Sequence, residues 1–264
     1  MKEKVNIPLL LNKDYSSPSV FLPENLLREA RRQKSIPECT VPGICVLDPD
    51  GDLADYLLQK GEAVKNECWA CYHSNLYSFK IEGTEIGIIP CIVGASYAVL
   101  VAEQLFVSGC KLLISVTSAG IIKQPDNAKQ FTLITFSIRD EGTSYHYLSA
   151  DKPALINEHL FKSLNNYSDS ESCPYFNGTS WTTDAPYRET QSAIDEMKKQ
   201  NITCVEMEAS ALYALSAVKN YPIICFAHLT NSMAQQDCDF EKGEAFGSID
   251  TLKLISYVLK ILHA

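Results

Sequence analysis

The feature that most limits the fold is a set of short apolar runs that end in polar residues. Lys111-Leu112-Leu113-Ile114-Ser115-Val116-Thr117-Ser118-Ala119-Gly120 is one, and Ile223-Ile224-Cys225-Phe226-Ala227-His228-Leu229-Thr230-Asn231 is another. Both are rich in β-branched residues and read as buried strands. Ile202-Thr203-Cys204-Val205 is a shorter strand that runs straight into a helix whose stripe is Met207, Ala211, Leu215 and Val218. Along the chain, strands are expected over 43–47, 76–81, 85–93, 112–117, 131–138, 203–205 and 223–229. Helices are expected over 52–60, 96–108, 153–165, 188–200, 207–219 and 248–262, with a short one opened by Pro23 and Glu24. Strands alternating with helices of this length give an α/β class, with a parallel or mixed sheet covered on both faces.

At 264 residues, 46% hydrophobic and 21% charged, the chain is large enough for one sizeable core. No repeat or long Gly/Ser/Pro-rich linker divides it, and the polar patch 165–172 reads as a surface loop. A formal charge of −9 excludes general affinity for nucleic acid or anionic membrane, because both need a basic face. The basic run Arg28, Arg31, Arg32 and Lys34 reads as a solvated helix face. With no apolar stretch of membrane-spanning length and no signal pattern, a soluble, cytoplasmic chain is expected. Cys45, Cys91, Cys204 and Cys225 fall in apolar runs and read as free thiols. Cys68-Trp69-Ala70-Cys71 lacks a second ligand pair, so neither a metal nor a redox role is assigned.

The chemistry gathers at the strand ends. Glu206 and Glu208 stand where a strand meets a helix, and a carboxylate there gains about 0.3–1 kcal/mol from the helix dipole. First-turn acids of this kind need no function by themselves. In an open α/β sheet, however, ligands bind beyond the carboxyl ends of the strands. The polar clusters at Thr117 to Gly120, Glu206 to Glu208 and Thr230 to Asn231 then make one pocket.

Several motifs in order along the chain resemble the nucleoside phosphorylase-I family, which also holds hydrolytic nucleosidases. They are Val93-Gly94-Ala95-Ser96, Ser118-Ala119-Gly120, Thr182-Thr183-Asp184-Ala185-Pro186-Tyr187 and Glu206-Met207-Glu208-Ala209. Arg139-Asp140-Glu141-Gly142-Thr143-Ser144-Tyr145-His146-Tyr147 is similar to a segment of uridine phosphorylases. The resemblance implies a single three-layer α/β/α domain around a distorted mixed sheet, spanning residues 41–264 after an N-terminal extension, 1–40. It implies a homo-oligomer, a dimer or a hexamer of dimers, acting on a small-molecule nucleoside without a cofactor. It further implies that Glu208 accepts hydrogen bonds from the ribose hydroxyls, that Met207 packs against the sugar and that Glu206 lies near it. Asn231 falls where purine phosphorylases carry an acidic proton donor, and its amide is assigned to the leaving base. Tyr187 and Arg188 are assigned to the base, although the usual uracil-reading glutamine and arginine are missing around Arg188 and Ser232. The aromatic and basic residues of the extension suggest that it caps a neighbour's site.

The nucleophile is where the chain departs from its relatives. The family's phosphate loop is Gly-Asp-Pro followed by arginine, but here it reads Leu47-Asp48-Pro49-Asp50-Gly51-Asp52-Leu53, and Ser115 replaces a second arginine. At ~4 Å each of these acids would repel a phosphate charge by about 1–4 kcal/mol. Three readings follow. A phosphorylase would use phosphate held by Ser118, Thr117 and backbone amides, with a cation such as Arg139 or an arginine of a partner subunit; a nucleosidase would use water; and a nucleoside-binding module would have lost catalysis. The first is preferred on the Arg139 to Tyr147 segment and the Asn231 context.

Overall fold

The computed structural model describes residues 7–11, 13–125, 129–167, 170–232 and 240–263. Its strands are β1 (Ile44–Asp48), β2 (Val64–Lys65), β3 (Tyr77–Ile81), β4 (Thr84–Pro90), β5 (Leu112–Ile121), β6 (Phe131–Asp140), β7 (Ala154–Leu155), β8 (Tyr175–Thr183), β9 (Cys204–Glu206) and β10 (Ile223–Asn231). Its helices are α1 (Pro23–Lys34), α2 (Asp52–Gln59), α3 (Ala95–Val107), α4 (Glu158–Asn165), α5 (Gln191–Lys199), α6 (Ala209–Lys219) and α7 (Ser248–His263).

β4, β1, β5 and β10 lie side by side and parallel, the arrangement their apolar runs require, since both faces are covered. β5 is the pivot. Leu112 to Ser115 pair with β1, Leu113 to Gly120 with β10, and Gly120 and Ile121 turn to pair antiparallel with β9. β10 also pairs antiparallel with β6, β6 runs parallel to β8, and β8 parallel to β9. Strands β5, β10, β6, β8 and β9 therefore close on themselves, which is the distortion of this mixed sheet. Helices α1, α3 and α6 pack together, as do α2, α4 and α7, giving helix layers around the sheet.

Three elements differ from expectation. No strand is expected over 175–183, yet β8 is a nine-residue strand there, although Asn177-Gly178 within it has the composition of a turn. Gly178 serves close approach instead: a Cβ there would lie 2.3 Å from Thr132 Oγ1. The helix expected over 153–165 is split, because Ala154 and Leu155 add a short strand to β6 and Asn157 then caps a helix that starts at Glu158. Helix α6 is buried all round from Ala209 to Ser216 instead of along one stripe, and Val218 is exposed. Its polar residues are satisfied inside: Tyr213 donates to the Ile134 carbonyl, and Ser210 donates to Glu141 at 2.9 Å.

Cys45, Cys204 and Cys225 are buried free thiols as expected, whereas Cys91 is exposed just beyond β4. Cys68 is not free: it forms a disulfide with Cys39, fastening the segment after α1 to the loop before β3. Among the described residues no helix is long and apolar enough to cross a membrane.

Candidate active site

The carboxyl ends of β5, β9 and β10 surround a cavity of about 440 Å3. Its walls include Asp50, Thr117, Ser118, Tyr187, Glu206, Met207, Glu208 and Asn231, so the three polar strand ends meet at one place. Among the described residues no group of three or more His, Cys, Asp or Glu side chains is placed to hold a metal ion.

The two glutamates have different environments. Because β9 leads directly into α6, Glu206 reaches the first amides of the helix: its Oε2 accepts from Glu208 N and Ala209 N, both at 2.7 Å. Its Oε1 accepts from Ser180 Oγ at 2.9 Å and from Thr182 Oγ1. Both oxygens are spent on protein, so Glu206 fixes the helix start and ties it to β8. Burial raises its pKa despite these bonds.

Glu208 is only 2% exposed, and its Oε1 accepts from the Gly94 amide at 2.7 Å. Its Oε2 is buried and accepts no hydrogen bond of good geometry among the described residues, although the Thr117 hydroxyl is near enough to favour the charged form. Burial, and then the charge of Glu206, push its pKa up to about 8. A buried carboxylate oxygen without a donor is unfavourable by itself and suited to a ligand hydroxyl. Gly94, with φ +94, turns its amide toward Glu208 at the start of α3.

Beside the cavity, which only Asp50 of the three lines, the aspartates of the acidic loop part company. Asp48 ends β1 and caps α2, accepting from Gly51 N at 3.2 Å and Ala54 N at 2.9 Å, and burial pushes its pKa up to about 7. Asp50 turns to β5, where its Oδ2 accepts from Ser118 N at 3.1 Å and Ser118 Oγ at 2.5 Å. Lys242 lies 3.2 Å from Asp50 Oδ2 and 2.5 Å from Asp52 Oδ2. Burial works against its charge, but the Asp52 and Asp50 carboxylates outweigh burial and hold its pKa above the usual value. The loop therefore does not present three bare acids, as the sequence suggested.

Arg139 lies apart from this cluster. Its Nε donates to Ser144 Oγ at 2.8 Å, and its Nη atoms donate to the carbonyls of Leu148, Ser149 and Lys152 at 2.7–2.8 Å, so it organises its own loop. Ser115, where the family carries an arginine, is 1% exposed with an Oγ that has no partner among the described residues.

Toward the remaining wall, Tyr187 is 99% exposed on the turn that follows β8, and Glu189 beside it has its pKa pushed up to about 7 by burial. Arg188 is exposed and not part of the wall. Asn231 is buried at the end of β10 and donates to Thr230 Oγ1 at 3.1 Å. His228 stacks on Phe131, and burial followed by the Lys242 charge pushes its pKa down to about 4, so it is neutral at pH 7. His146 is exposed, with Lys13 Nζ 2.9 Å from its Nδ1, and Tyr15 donates to the Tyr145 carbonyl at 3.2 Å. The N-terminal segment thus touches the Arg139 to Tyr147 loop of its own chain.

Sequence reasoning missed Lys242 and Glu189. A lone lysine 190 residues from its carboxylate partner leaves no local pattern to detect.

The family model described as the Phosphorylase superfamily matches residues 43–262. The chain is 25% identical over 131 residues to the purine nucleoside phosphorylase of Plasmodium vivax, covering 48% of this chain and only 53%, about half, of that protein. To the uridine phosphorylase of Thermococcus kodakarensis it is 23% identical over 235 residues, covering 78% of this chain and 84% of that one. Its fold is similar to the crystal structure of uridine phosphorylase from Vibrio fischeri ES114, with a TM-score of 0.69, 20% identity, and coverage of 84% of this chain and 91% of the other.

Proposed function

The chain belongs to the phosphorylase superfamily, and from that premise we propose that it is a nucleoside phosphorylase that cleaves the N-glycosidic bond of a (deoxy)ribonucleoside. Residues 41–264 form the catalytic domain and 1–40 an extension; the protein works in the cytoplasm as a homo-oligomer, with phosphate as co-substrate and no cofactor.

The observation that carries this reading is the unpartnered Oε2 of Glu208 in the cavity wall. A vicinal diol supplies the donors that this oxygen lacks, and the gain is large because the alternative is a buried, unsatisfied acceptor. Met207, half-buried in the same wall, packs on the sugar. Glu206 positions this pair without touching substrate. Asn231 and Tyr187 take the base, one by hydrogen bonding to it and the other by stacking. In the reaction the electron pair of the C1′–N bond leaves with the base and a phosphate oxygen bonds to C1′. The proton of hydrogen phosphate ends on the departing nitrogen. The protein accelerates this by holding the reactants in line and stabilising developing charge. Ser118 and Thr117 stand on the nucleophile's side.

A second reading, hydrolysis by water, is favoured by one observation: the Ser118 donors already hold the Asp50 carboxylate. Release of free base from a panel of purine and pyrimidine nucleosides, with and without phosphate, separates the readings. Phosphate-dependent release supports the phosphorylase, phosphate-independent release the nucleosidase, and binding without release a module that has lost catalysis.

A further inference from the structure

Three donors converge on one anionic oxygen beside the cavity. The amide and hydroxyl of Ser118 come from β5, and the ammonium of Lys242 comes from the segment ahead of α7; all three face Asp50 Oδ2, at 3.1, 2.5 and 3.2 Å. We propose that this is the oxyanion site of the chain, that Lys242 is its cation in place of the arginines the loop lacks, and that the Asp50 carboxylate is an internal competitor which phosphate must displace. The choice of phosphate as the ligand rests on the phosphorylase reading above.

A carboxylate oxygen and a phosphate oxygen make the same demand, charge-assisted donation from N–H, O–H and ammonium groups. Donors that grip one therefore grip the other. Lys242 is built in: its side chain is only 12% exposed, and Asp52 at 2.5 Å holds it when Asp50 leaves. Asp50 is the partner placed to leave: both aspartate side chains are 31% exposed, but Asp52 is held in the first turn of α2, whereas Asp50 stands ahead of the helix on a turn whose next residue, Gly51, has φ +86. Asp50 and Ser118 also line the cavity that holds Glu208, so an anion taking the place of Asp50 stands at the wall where a nucleophile is needed. With Asp50 in place the cluster of Asp50, Asp52 and Lys242 carries a net negative charge; with Asp50 displaced, Lys242 and Asp52 balance. Displacing Asp50 thus removes the acid that occupies the donors, leaving Asp52 paired with Lys242.

Calorimetric titration of the full chain with inorganic phosphate, without nucleoside, tests this. Asp50→Ala and Asp50→Asn are expected to bind phosphate at least tenfold more tightly than the parent. Adding Lys242→Met to Asp50→Ala is expected to lose at least tenfold, which separates a cation for phosphate from a cation that only holds Asp50. Asp50→Asn keeps the size of the side chain and carries the test if the alanine variant does not fold. Asp50 variants that bind no more tightly than the parent overturn the competitor, and a double variant as tight as Asp50→Ala overturns the cation. Variants that bind phosphate as expected while no nucleoside releases base would leave this site standing and remove the phosphorylase reading instead.

Discussion

Glu208→Gln replaces the central carboxylate with a neutral group of the same shape. Glu208 has a pKa near 8 in the folded chain against 4.5 for a free glutamate, raised first by burial and then by Glu206. The folded chain therefore keeps a proton that the unfolded chain has released between these values. The associated stability is fully present below pH 4.5 and is lost as pH rises through 8. The whole difference corresponds to about 5 kcal/mol, of which about 3 kcal/mol is already lost at pH 7. Glutamine has no proton to lose, and its Oε1 still accepts from the Gly94 amide. Its NH2 group must find an acceptor in place of the unpartnered Oε2, at a cost of about 1–3 kcal/mol. The net expectation is a variant about 1–3 kcal/mol more stable than the parent at pH 8, an advantage that disappears by pH 5. Urea unfolding of both proteins at the two pH values reads it directly. Asp48, whose pKa burial also raises, is present in both proteins and cancels, so the comparison reads Glu208 together with its interaction with Glu206. A stability difference that does not change with pH, or a variant that is weaker at pH 8, would refute the argument.

Asn231→Ala is expected to slow base release by about 10–100-fold with an unchanged melting temperature, the cost of losing one hydrogen bond to developing charge; an unchanged rate places Asn231 outside the chemistry. Cys68→Ser removes the link to Cys39 and is expected to cost about 3–4 kcal/mol by the chain-entropy argument, measured by denaturant unfolding against the parent. Gly178→Ala forces a methyl against Thr132 inside the β6–β8 pair and is expected to cost about 1–3 kcal/mol, where a turn would accept it at little cost.

The α/β class was legible because strands buried on both faces cannot hide their composition: the runs of β1, β5 and β10 are largely apolar and turn polar toward their carboxyl ends. β8 was not legible, because Asn177-Gly178 has the composition of a turn while Gly178 answers to the Thr132 and Thr203 side chains packed against it. The site divides the same way. The helix start at Glu206 to Glu208 is a contiguous motif, but which acid keeps an oxygen for a ligand depends on Ser180, Thr182 and Gly94, all remote in sequence. Arg139 was expected near the nucleophile from its place in a motif, and its guanidinium is instead consumed by carbonyls within thirteen residues. The acidic loop read as repulsive because charge is visible in sequence and pairing is not; Lys242 supplies that pairing from 190 residues away.

Binding in this cavity turns on the pentose diol meeting the unpartnered oxygen of Glu208. Calorimetric titration of a ribonucleoside that the chain cleaves, beside its 2′,3′-dideoxy analogue, measures that contact without chemistry if phosphate is withheld. At pH 9, above the Glu208 pKa of about 8, two donors to the ionised carboxylate are worth about 3 kcal/mol or more, so the dideoxy analogue is expected to bind at least a hundredfold more weakly to the parent and equally weakly to Glu208→Ala. Equal affinity of the two nucleosides for the parent would contradict the assignment of this cavity to a ribose.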